Sequence, residues 1–317
     1  MGVPPTARRA LTVAFISHSD CGRHDTGWGA PEHVGRLRAI TRAFRERPEL
    51  FMRLLHHEGR HAEPEELALV HDAEYIARIQ DISRAGGGRL DPDTVASEGS
   101  WLAATAAAGC VLDAVDMSFD NRAVRSFSAV RPPGHHAIRD SAMGFCIFGN
   151  IALAAHYARR THRADRVLIV DWDVHHGNGT QALVEHDPGI HFVSMHQWPW
   201  YPGTGAATER GIGNLWNVPL PAGLPPERYV NELRSAIDRA TADFTPDLVL
   251  ISAGFDSLAG DPLGGFTLEM EHVALLTREL VQRAETWCAG RVVSALEGGY
   301  APERLGEACM VHLEQLA

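Results

Sequence analysis

The sequence predicts an α/β protein with an open, mainly parallel β-sheet that helices flank on both faces. Apolar strand-like runs alternate with helical patterns along almost the whole chain. Several runs are apolar at consecutive positions, as in RVLIVD at 166–171. Strands of a parallel sheet have this composition because helices cover both faces. The alternation of strands and helices indicates crossover connections within one sheet.

Each element is assigned from its hydrophobic period. The strand candidates are rich in Val, Ile and other apolar residues and lie at 11–18, 51–57, 125–130, 166–173, 190–196, 215–220, 247–254 and 291–297. The helix candidates carry apolar residues three or four positions apart and lie at 32–47, 64–84, 99–117, 150–162, 225–244, 267–289 and 301–316. No internal repeat or low-complexity linker interrupts this pattern, so residues 1–317 are predicted to form a single domain.

The composition limits the partners and the compartment. The 317 residues contain 29 Lys+Arg and 40 Asp+Glu, a net charge of −11, and every basic charge is an arginine because lysine is absent. This acidic balance argues against direct nucleic-acid binding and is compatible with cationic substrates. No apolar run is expected to reach the roughly 20 residues of a membrane span. Five cysteines without a Cys-x-x-Cys pair, and no signal-peptide pattern at the N-terminus, predict a cytoplasmic protein.

Unusual polar residues follow the predicted strands, where ligands bind in sheets of this kind. The strand at 166–170 runs directly into DWDVHHGNG at 171–179. Alternation places Asp171, Asp173 and His175 on one side of the extended chain, about 6–7 Å apart per two-residue step. Two carboxylates and an imidazole suit a metal of borderline hardness. The alternative role for a single such Asp is to cap the following helix.

A second strand, at 247–254, ends in the turn sequence FDSLAGDPLGG. Asp261 falls in this Gly- and Pro-rich turn, where its carboxylate can reach back over the sheet. With Asp173 and His175 it would supply two oxygens and one nitrogen, and three protein ligands with one open position are usual for catalytic zinc. The alternative for Asp261 alone is a carboxylate that stabilises its own turn.

Two further strand ends carry candidate catalytic groups. The loop RPPGHH at 131–136 presents His135 and His136, and histidine is the side chain that titrates nearest neutral pH. The strand at 291–296 ends in EGGY, which presents Tyr300 towards the same edge of the sheet. A tyrosine hydroxyl can donate to a developing oxyanion, although a half-buried tyrosine with an incidental partner is the alternative.

Together, these segments resemble the successive signatures of the zinc-dependent histone deacetylase family. The matching segments, in chain order, are 131–136, 144–146 (GFC), 171–179, 201–205 (YPGTG), 253–262 and 297–300. More divergent stretches at 23–27 and 70–75 extend the resemblance over nearly the whole chain. It is closest to class II and its bacterial relatives, and it implies the arginase/deacetylase fold.

The resemblance implies a zinc-dependent amidohydrolase that removes acetyl or related acyl groups from lysine side chains or similar amines. By similarity, Asp173, His175 and Asp261 bind zinc, and Fe²⁺ or Co²⁺ can also occupy an Asp₂His site. His136 is implied as the general base that takes a proton from the zinc-bound water.

The remaining catalytic roles are implied in the same way. His135 would stay near the leaving amine as an electrostatic or proton-donating partner. Asp171 would hydrogen-bond one of the two histidines and fix its tautomer. Tyr300 would polarise the acetyl carbonyl together with the metal.

The family's narrow acyl-lysine channel has matching positions here. Phe145 and Tyr201 match its aromatic pair, and Gly144 matches the adjacent glycine. Asp93 corresponds to the rim aspartate that holds a peptide backbone. Leu268 is placed at the channel mouth, where polyamine-specialised relatives carry Glu, and a leucine there argues against a dedicated polyamine deacetylase.

The resemblance also implies a structural potassium ion. The matching positions, which act mostly through backbone carbonyls, are Asp171, Asp173, His175, Ser194 and Met195. Two departures stand out. Asn178 occupies a position where many members pair an Asp with the catalytic histidine, and Ala30-Pro-Glu32 lacks the family's common leading His.

Three alternatives to protein deacetylation stay open at this point. A deacetylase of acetylpolyamines or acylated metabolites would use the same residues. A ureohydrolase like arginase shares the fold, but the chain lacks the arginase-type Asp-x-His-x-Asp run. A non-catalytic acyl-lysine binding module should have lost a ligand or Tyr300, and all of these residues are present.

Overall fold

The computed structural model describes residues 12–317, so Leu11 and the N-terminal residues behind the signal-peptide prediction lie outside the described residues. The strands are β1 (Val13–Ser17), β2 (Leu55–Glu58), β3 (Gly87–Arg89), β4 (Val95–Ser97), β5 (Arg125–Ser128), β6 (Val167–Asp171), β7 (Ile190–Gln197), β8 (Leu215–Leu220), β9 (Leu248–Ala253) and β10 (Val292–Leu296). The helices are α1 (Gly35–Glu46), α2 (Pro48–Arg53), α3 (Pro64–Leu67), α4 (Ala73–Arg84), α5 (Ser100–Phe119), α6 (Asn150–His162), α7 (Asn178–Val184), α8 (Pro226–Ala240), α9 (Met270–Cys288) and α10 (Pro302–Leu316). A short 3₁₀ helix, Ser19–Arg23, follows β1.

Eight strands form one sheet in the order β2-β1-β5-β10-β9-β6-β7-β8. Every neighbouring pair in this sheet is parallel, which confirms the predicted fold class. β3 and β4 form a separate antiparallel hairpin that the sequence analysis missed. Its first strand is largely glycine and carries too few apolar residues to show a strand period.

Two apolar clusters cover the opposite faces of the sheet. In β6, Leu168 and Val170 belong to the cluster that contains residues of α8, α9 and α10. Val167 and Ile169 belong to the other cluster, which contains residues of α5 and α6. Successive side chains of a strand point to opposite faces, so a strand covered on both sides must be apolar at every position.

Two predicted elements differ in the structure. The run at 51–57 was predicted as a strand, but α2 takes its first part and only Leu55–Glu58 pairs with β1. Pro48 begins α2 at a first-turn position, where the missing N–H of proline costs nothing. The predicted helix at 64–84 is divided into α3 and α4, and Asp72 is extended at the start of the second helix.

One helix corrects the expectation about membrane-length segments. α5 has 20 residues, and its most apolar 18-residue window has a mean hydropathy of 1.4, so by length and composition it could cross a membrane. In the folded chain, 78% of that window is buried. The composition of α5 is therefore that of a core helix, and it packs against α6 and β5.

The sheet order explains why the polar motifs meet. β5, β10, β9 and β6 are consecutive neighbours at the centre of the sheet, and all run in the same direction. Their carboxyl ends therefore lie side by side at one edge. The segments that follow them contain His135, Tyr300, Asp256 and Asp173.

Candidate active site

A pocket of about 210 Å³ opens above the carboxyl ends of the central strands. Its walls combine ionisable and apolar side chains, namely Asp93, His136, Gly144, Phe145, His175, Trp200, Tyr201, Leu263 and Tyr300. The structure therefore brings seven predicted site residues and both predicted histidine-bearing segments to one cavity. A concave, mainly apolar pocket with a few convergent polar groups is the usual form of a small-molecule site.

A candidate metal centre lies at one end of this pocket. Asp173, His175 and Asp256 are buried and each offers a ligand atom within 4.8 Å of the others. His175 Nδ1 lies 2.9 Å from Asp173 Oδ1 and 3.2 Å from Asp256 Oδ2. Two carboxylate oxygens and one imidazole nitrogen match the ligand types of a catalytic zinc site.

The electrostatics of this cluster favour a bound cation. Burial, together with the charge of Asp173, raises the pKa of Asp256 to about 7. Burial alone would lower the pKa of His175, but its hydrogen bonds to Asp173 and Asp256 raise it to about 10. Asp256 Oδ2 is buried and faces only His175 Nδ1, so a divalent ion that displaces the His175 proton would satisfy both atoms. The residues present therefore fit a divalent metal.

Gly298 shows how closely the chain packs around these carboxylates. Its N–H donates to Asp173 Oδ2 at 2.8 Å. A Cβ at this position would lie 2.0 Å from Asp256 Oδ2 and 2.5 Å from Asp173 Oδ2, so only glycine allows this approach. The carboxylates of the candidate metal centre therefore explain why the residue after Glu297 is a glycine.

Asp261 stays the predicted third ligand, and Asp256 is a second candidate for that place. Asp261 Oδ1 accepts the N–H of Leu263 at 2.9 Å, and Asp261 Oδ2 accepts the N–H of Tyr300 at 2.7 Å. These bonds join its turn to the loop that carries Tyr300, and each carboxylate oxygen keeps a lone pair with which it can bind a metal. Burial and the charge of Asp173 raise the pKa of Asp261, as expected for a carboxylate close to the cluster. Asp256 lies three residues after the end of β9, so it too is near a strand end.

The paired histidines have different partners. His135 Nδ1 lies 3.0 Å from Asp171 Oδ2, whereas His136 Nδ1 lies 2.7 Å from Asn178 Oδ1. Asn178 Nδ2 faces Met143 Sδ at 3.4 Å, which fits an amide oxygen directed at His136. The ring of His136 then carries its proton on Nδ1, which leaves the Nε2 lone pair free.

The two histidines also differ in charge. Burial alone would lower the pKa of His135, but the charges of Asp173 and Asp171 raise it well above its usual value. Burial and the neighbouring charges of His135 and His175 lower the pKa of His136 well below its usual value. At neutral pH, His135 is therefore cationic and His136 is a neutral base that faces the pocket.

Tyr300 lies across the pocket from these histidines. Its ring packs edge-on against Phe145, with ring centroids 5.8 Å apart, and the guanidinium of Arg36 lies 5.0 Å from its centroid. Arg36 Nε also donates to the carbonyl of Gly299 at 2.8 Å. Burial raises the pKa of Tyr300 well above its usual value, so its hydroxyl remains a proton donor.

The predicted channel residues Gly144, Phe145, Tyr201 and Asp93 all line the pocket. Asp93 Oδ1 accepts the N–H of Gly144 at 2.9 Å, which fixes the backbone beside Phe145. Gly144 and Phe145 have φ values of 55° and 67°, and a Cβ on Gly144 would lie 2.3 Å from the ring of His136. Trp200, which the sequence analysis missed, donates its indole N–H to the carbonyl of Leu263.

The placement of Leu268 at the channel mouth is wrong. Leu268 is 2% exposed and packs in the apolar cluster with Trp172, Phe255 and Leu276. It pairs with Leu258 in an isolated β-bridge, which turns its side chain into the protein. Leu263 lines the pocket in its place, because the turn held by Asp261 directs it there.

The five positions predicted for potassium lie around the adjoining ends of two strands. Asp171 of β6 pairs in register with Ser194 of β7, and Met195 follows Ser194 in β7. Asp173 and His175 are on the segment that follows β6. Their proximity is consistent with the predicted role, which stays a prediction.

A buried ion network that the sequence analysis did not assign supports the catalytic loops. Arg131 donates to both oxygens of Glu32, at 2.6 and 2.7 Å, and Arg36 Nη1 donates to Glu32 Oε1 at 3.1 Å. All three side chains are 0% exposed. Burial alone would raise the pKa of Glu32, but Arg131 and Arg36 lower it to about 2. Glu32 therefore has a structural role, although an Ala stands at position 30.

Glu297 has a comparable role below the histidine loop. Its Oε2 accepts the N–H groups of Gly134 and His135 at 2.7 and 3.1 Å. Burial raises the pKa of Glu297 to about 7. A sequence signal existed, because Glu297 directly follows β10.

Comparisons with known proteins show which family the chain resembles. Residues 30–316 match the family described as histone deacetylase domain. An uncharacterized protein of Synechocystis sp. is 39% identical over 96% of this chain and 99% of its own length. The histone deacetylase-like amidohydrolase of Pseudomonas aeruginosa is 36% identical over 81% of this chain and 69% of its own length.

Two further similarities extend the comparison. The human polyamine deacetylase HDAC10 is 36% identical over 96% of this chain, which spans 48% of the human protein. The crystal structure of the HDA15 HD domain superposes with a TM-score of 0.91 at 34% identity, covering 96% of this chain and 88% of that one.

The two neighbouring aspartates provide a first test. Loss of most of the bound metal in Asp256→Asn identifies Asp256 as the second carboxylate ligand, and the same loss in Asp261→Asn identifies Asp261, because each substitution removes a ligand charge. Asp261→Asn is also expected to lower kcat by about 10-fold or more, because an amide cannot accept from two N–H donors and Tyr300 shifts. Metal content per chain and kcat, measured on the same preparations, check this. Retention of the metal in both variants would exclude both aspartates as ligands.

The buried ion network provides a second test. Glu32→Gln is expected to lower the free energy of unfolding by about 3–5 kcal/mol at pH 7, because two buried guanidinium groups lose their counter-charge. The pKa of Glu32 is lower in the folded chain, so its ionised form stabilises the fold above pH 4.5. The difference between wild type and Glu32→Gln should shrink as the pH falls from about 4.5 towards 2.

Denaturant unfolding at several pH values measures this difference. The matched control is Glu303→Gln, which breaks the exposed pair between Glu303 and Arg42 and should change stability by less than about 1 kcal/mol. Equal effects of the two substitutions at pH 7 would contradict a special role for Glu32.

Proposed function

The chain belongs to the histone deacetylase family, and we propose that it is a metal-dependent amidohydrolase that removes acetyl or related acyl groups from lysine side chains or similar amines. Family membership and similarity to proteins named deacetylase and amidohydrolase support hydrolase activity. One observation carries the finer proposal. A neutral histidine, a candidate metal ligand and a tyrosine hydroxyl line the same narrow apolar pocket.

The proposed metal ligands are Asp173, His175 and a second aspartate, either Asp261 or its neighbour Asp256, and Zn²⁺, Fe²⁺ or Co²⁺ suits such a set. When bound, such an ion supplies a Lewis acid that polarises the acyl carbonyl and makes the attacking water more acidic. The chain itself keeps the ligands in place, since Val174 N–H donates to Asp256 Oδ1 at 2.9 Å and Gly298 N–H donates to Asp173.

His136 is proposed as the general base. Its Nδ1 proton is held by Asn178, so Nε2 is the atom that accepts the proton of the attacking water. An asparagine partner carries no charge, so it orients the ring of His136 without making it cationic. The low pKa of His136 keeps this ring neutral at neutral pH.

His135 and Tyr300 are proposed to act on the developing charges. His135, held by Asp171, keeps a positive charge next to His136, with ring centroids 4.0 Å apart. This positive charge favours the transfer of a proton from the histidine pair to the departing amine. Tyr300 donates its hydroxyl hydrogen to the acyl oxygen as negative charge builds there, which stabilises the transition state more than the substrate.

The pocket favours an acyl group on a straight aliphatic chain. Phe145, Tyr201 and Leu263 give an apolar wall that can enclose methylene groups while the amide reaches His136 and Tyr300. Leu263 offers no carboxylate to a second ammonium group. Asp93 is the acidic side chain among those that line the pocket, and it is proposed to hold an N–H of the substrate at the mouth.

A substrate panel tests the reaction class. Acetyl-lysine peptides are expected to be hydrolysed with activity that chelation removes and Zn²⁺ restores, and faster than acetylpolyamines, because the channel wall is apolar at Leu263. The chain contains no lysine, so any acetyl-lysine signal in the assay comes from the substrate. Faster turnover of acetylpolyamines would favour the polyamine alternative. No metal-dependent turnover of any acylated amine would contradict the enzyme proposal.

The tyrosine provides a second functional test. Tyr300→Phe is expected to lower kcat by about 10²–10³-fold, because the oxyanion loses one hydrogen-bond donor. Metal content should stay unchanged, since the hydroxyl is not a ligand. Tyr157→Phe is the matched control, because Tyr157 lies on α6 and donates to Asp116 away from the pocket. Unchanged kcat in Tyr300→Phe would remove Tyr300 from the mechanism.

A further inference from the structure

A second group of metal-ligating side chains lies outside the active-site pocket, on two loops beside the edge of the sheet. His18 and Asp20 are on the segment that follows β1, and His61 is on the segment that follows β2. One ligand atom from each of the three side chains lies within 4.8 Å of the others. None of them lines the pocket that contains His136 and Tyr300.

The contact with Arg23 directs one oxygen of the Asp20 carboxylate towards the two histidines. Arg23 Nε holds Asp20 Oδ1 at 2.7 Å. The other oxygen, Oδ2, faces both imidazoles, 3.2 Å from His61 Nε2 and 3.9 Å from His18 Nδ1. Ligand atoms of a tetrahedral zinc site lie about 3.3 Å apart when the metal–ligand bonds are about 2.0–2.1 Å. The separation between Asp20 and His61 is close to this value, and His18 has to move a few tenths of an ångström closer to Asp20 to reach it.

Hydrogen bonds assign the tautomer of His61. Thr105 Oγ1 lies 2.9 Å from the carbonyl of Trp101 and 3.2 Å from that of Leu102, and its single hydrogen can be donated to either. His61 Nδ1 lies 2.8 Å from the same hydroxyl oxygen, and we assign it as the donor in that contact because the hydroxyl hydrogen already has two backbone acceptors. In the neutral ring, the lone pair of Nε2 then faces the carboxylate of Asp20. A cation between these two atoms would satisfy both, and the Thr105 contact is the outer hydrogen bond typical of metal-ligating histidines.

His18 can become the third ligand if its Nδ1 gives up one hydrogen bond and binds the metal instead. Its Nδ1 accepts the N–H of Asp20 at 3.0 Å, so coordination through this nitrogen replaces that hydrogen bond. The side chains of His18, Asp20 and His61 are 13%, 17% and 35% exposed, so an ion from solution can reach them. The released N–H lies near solvent, where water can accept it.

We propose that His18, Asp20 and His61 form a second metal site, which takes a borderline divalent ion such as Zn²⁺ or Co²⁺ with water in the open position. The ion would join the segment after β1 to the segment after β2. The first of these segments also supplies the carbonyls of Cys21 and His24, which accept from Arg131 at 3.3 and 2.9 Å. The site would therefore brace the network that leads to the histidine loop.

Cobalt titration tests this proposal. Metal-free protein is loaded with Co²⁺, dialysed and measured for cobalt per chain and for visible absorption. Two ions per chain are expected in the wild type and one in His61→Gln, with the absorption of the second site lost. Asp20→Asn is the second variant and should lose the same ion. His56→Gln is the control variant. His56 is an exposed histidine on β2 and lies outside the triad, so this variant should keep both ions.

Other results would overturn the proposal. If the wild type binds one ion that Asp173→Asn abolishes, the triad does not bind metal. If His61→Gln and Asp20→Asn keep two ions, the second ion lies elsewhere. If NMR shows that His61 carries protons on both ring nitrogens at neutral pH in the presence of excess Zn²⁺, an ion pair with Asp20 accounts for the contact instead.

Discussion

The arrangement of the active site depends on one buried carboxylate. Glu32 pairs with the guanidinium groups of Arg131 and Arg36. Each guanidinium also donates hydrogen bonds to the backbone of a different segment. Arg131 begins the loop with the paired histidines, while Arg36 donates to the carbonyls of Glu297 and Gly299 beside Tyr300. Burying such charges is costly, and the cost is offset only when every donor has a partner. The pairing therefore fixes the loop of His136, the proposed general base, relative to the loop of Tyr300.

The site contains more buried acids than cations, and their hydrogen-bond partners separate their roles. Glu297 and Asp261 accept from backbone N–H groups and so position loops. Asp171 accepts from His135 and sets its charge. Asp173 and Asp256 both face His175 and have no arginine partner in this cluster. Excess negative charge is thus concentrated at one point, which is the physical reason for proposing a divalent ion there.

The sequence predicted the parts of the site that depend on regular structure. Strand alternation identified Asp173 and His175, and the strand ends identified the histidine pair and Tyr300. The error occurs in the irregular turn after β9, where Leu268 was chosen over Leu263, and Asp256 was passed over there as a second candidate ligand. A turn rich in Gly and Pro has no period from which side-chain direction follows. Glu32 was left without a role because its partner Arg131 is 99 residues away, a contact that no local pattern reveals.

The opposite charges of two adjacent imidazoles follow from these partners. His135 and His136 are consecutive and equally buried, so desolvation favours the neutral form of both. The charges of Asp173 and Asp171 raise the pKa of His135 by more than burial lowers it, which favours the cationic form of this ring. Burial and the positive charges of His135 and His175 lower the pKa of His136, and the hydrogen bond from the neutral amide of Asn178 offsets only part of this. An Asp at position 178 would remove much of this asymmetry, because its charge would favour protonation of His136. The asparagine therefore preserves a free base at neutral pH, and the carboxylates beneath His135 supply the charge that keeps it free.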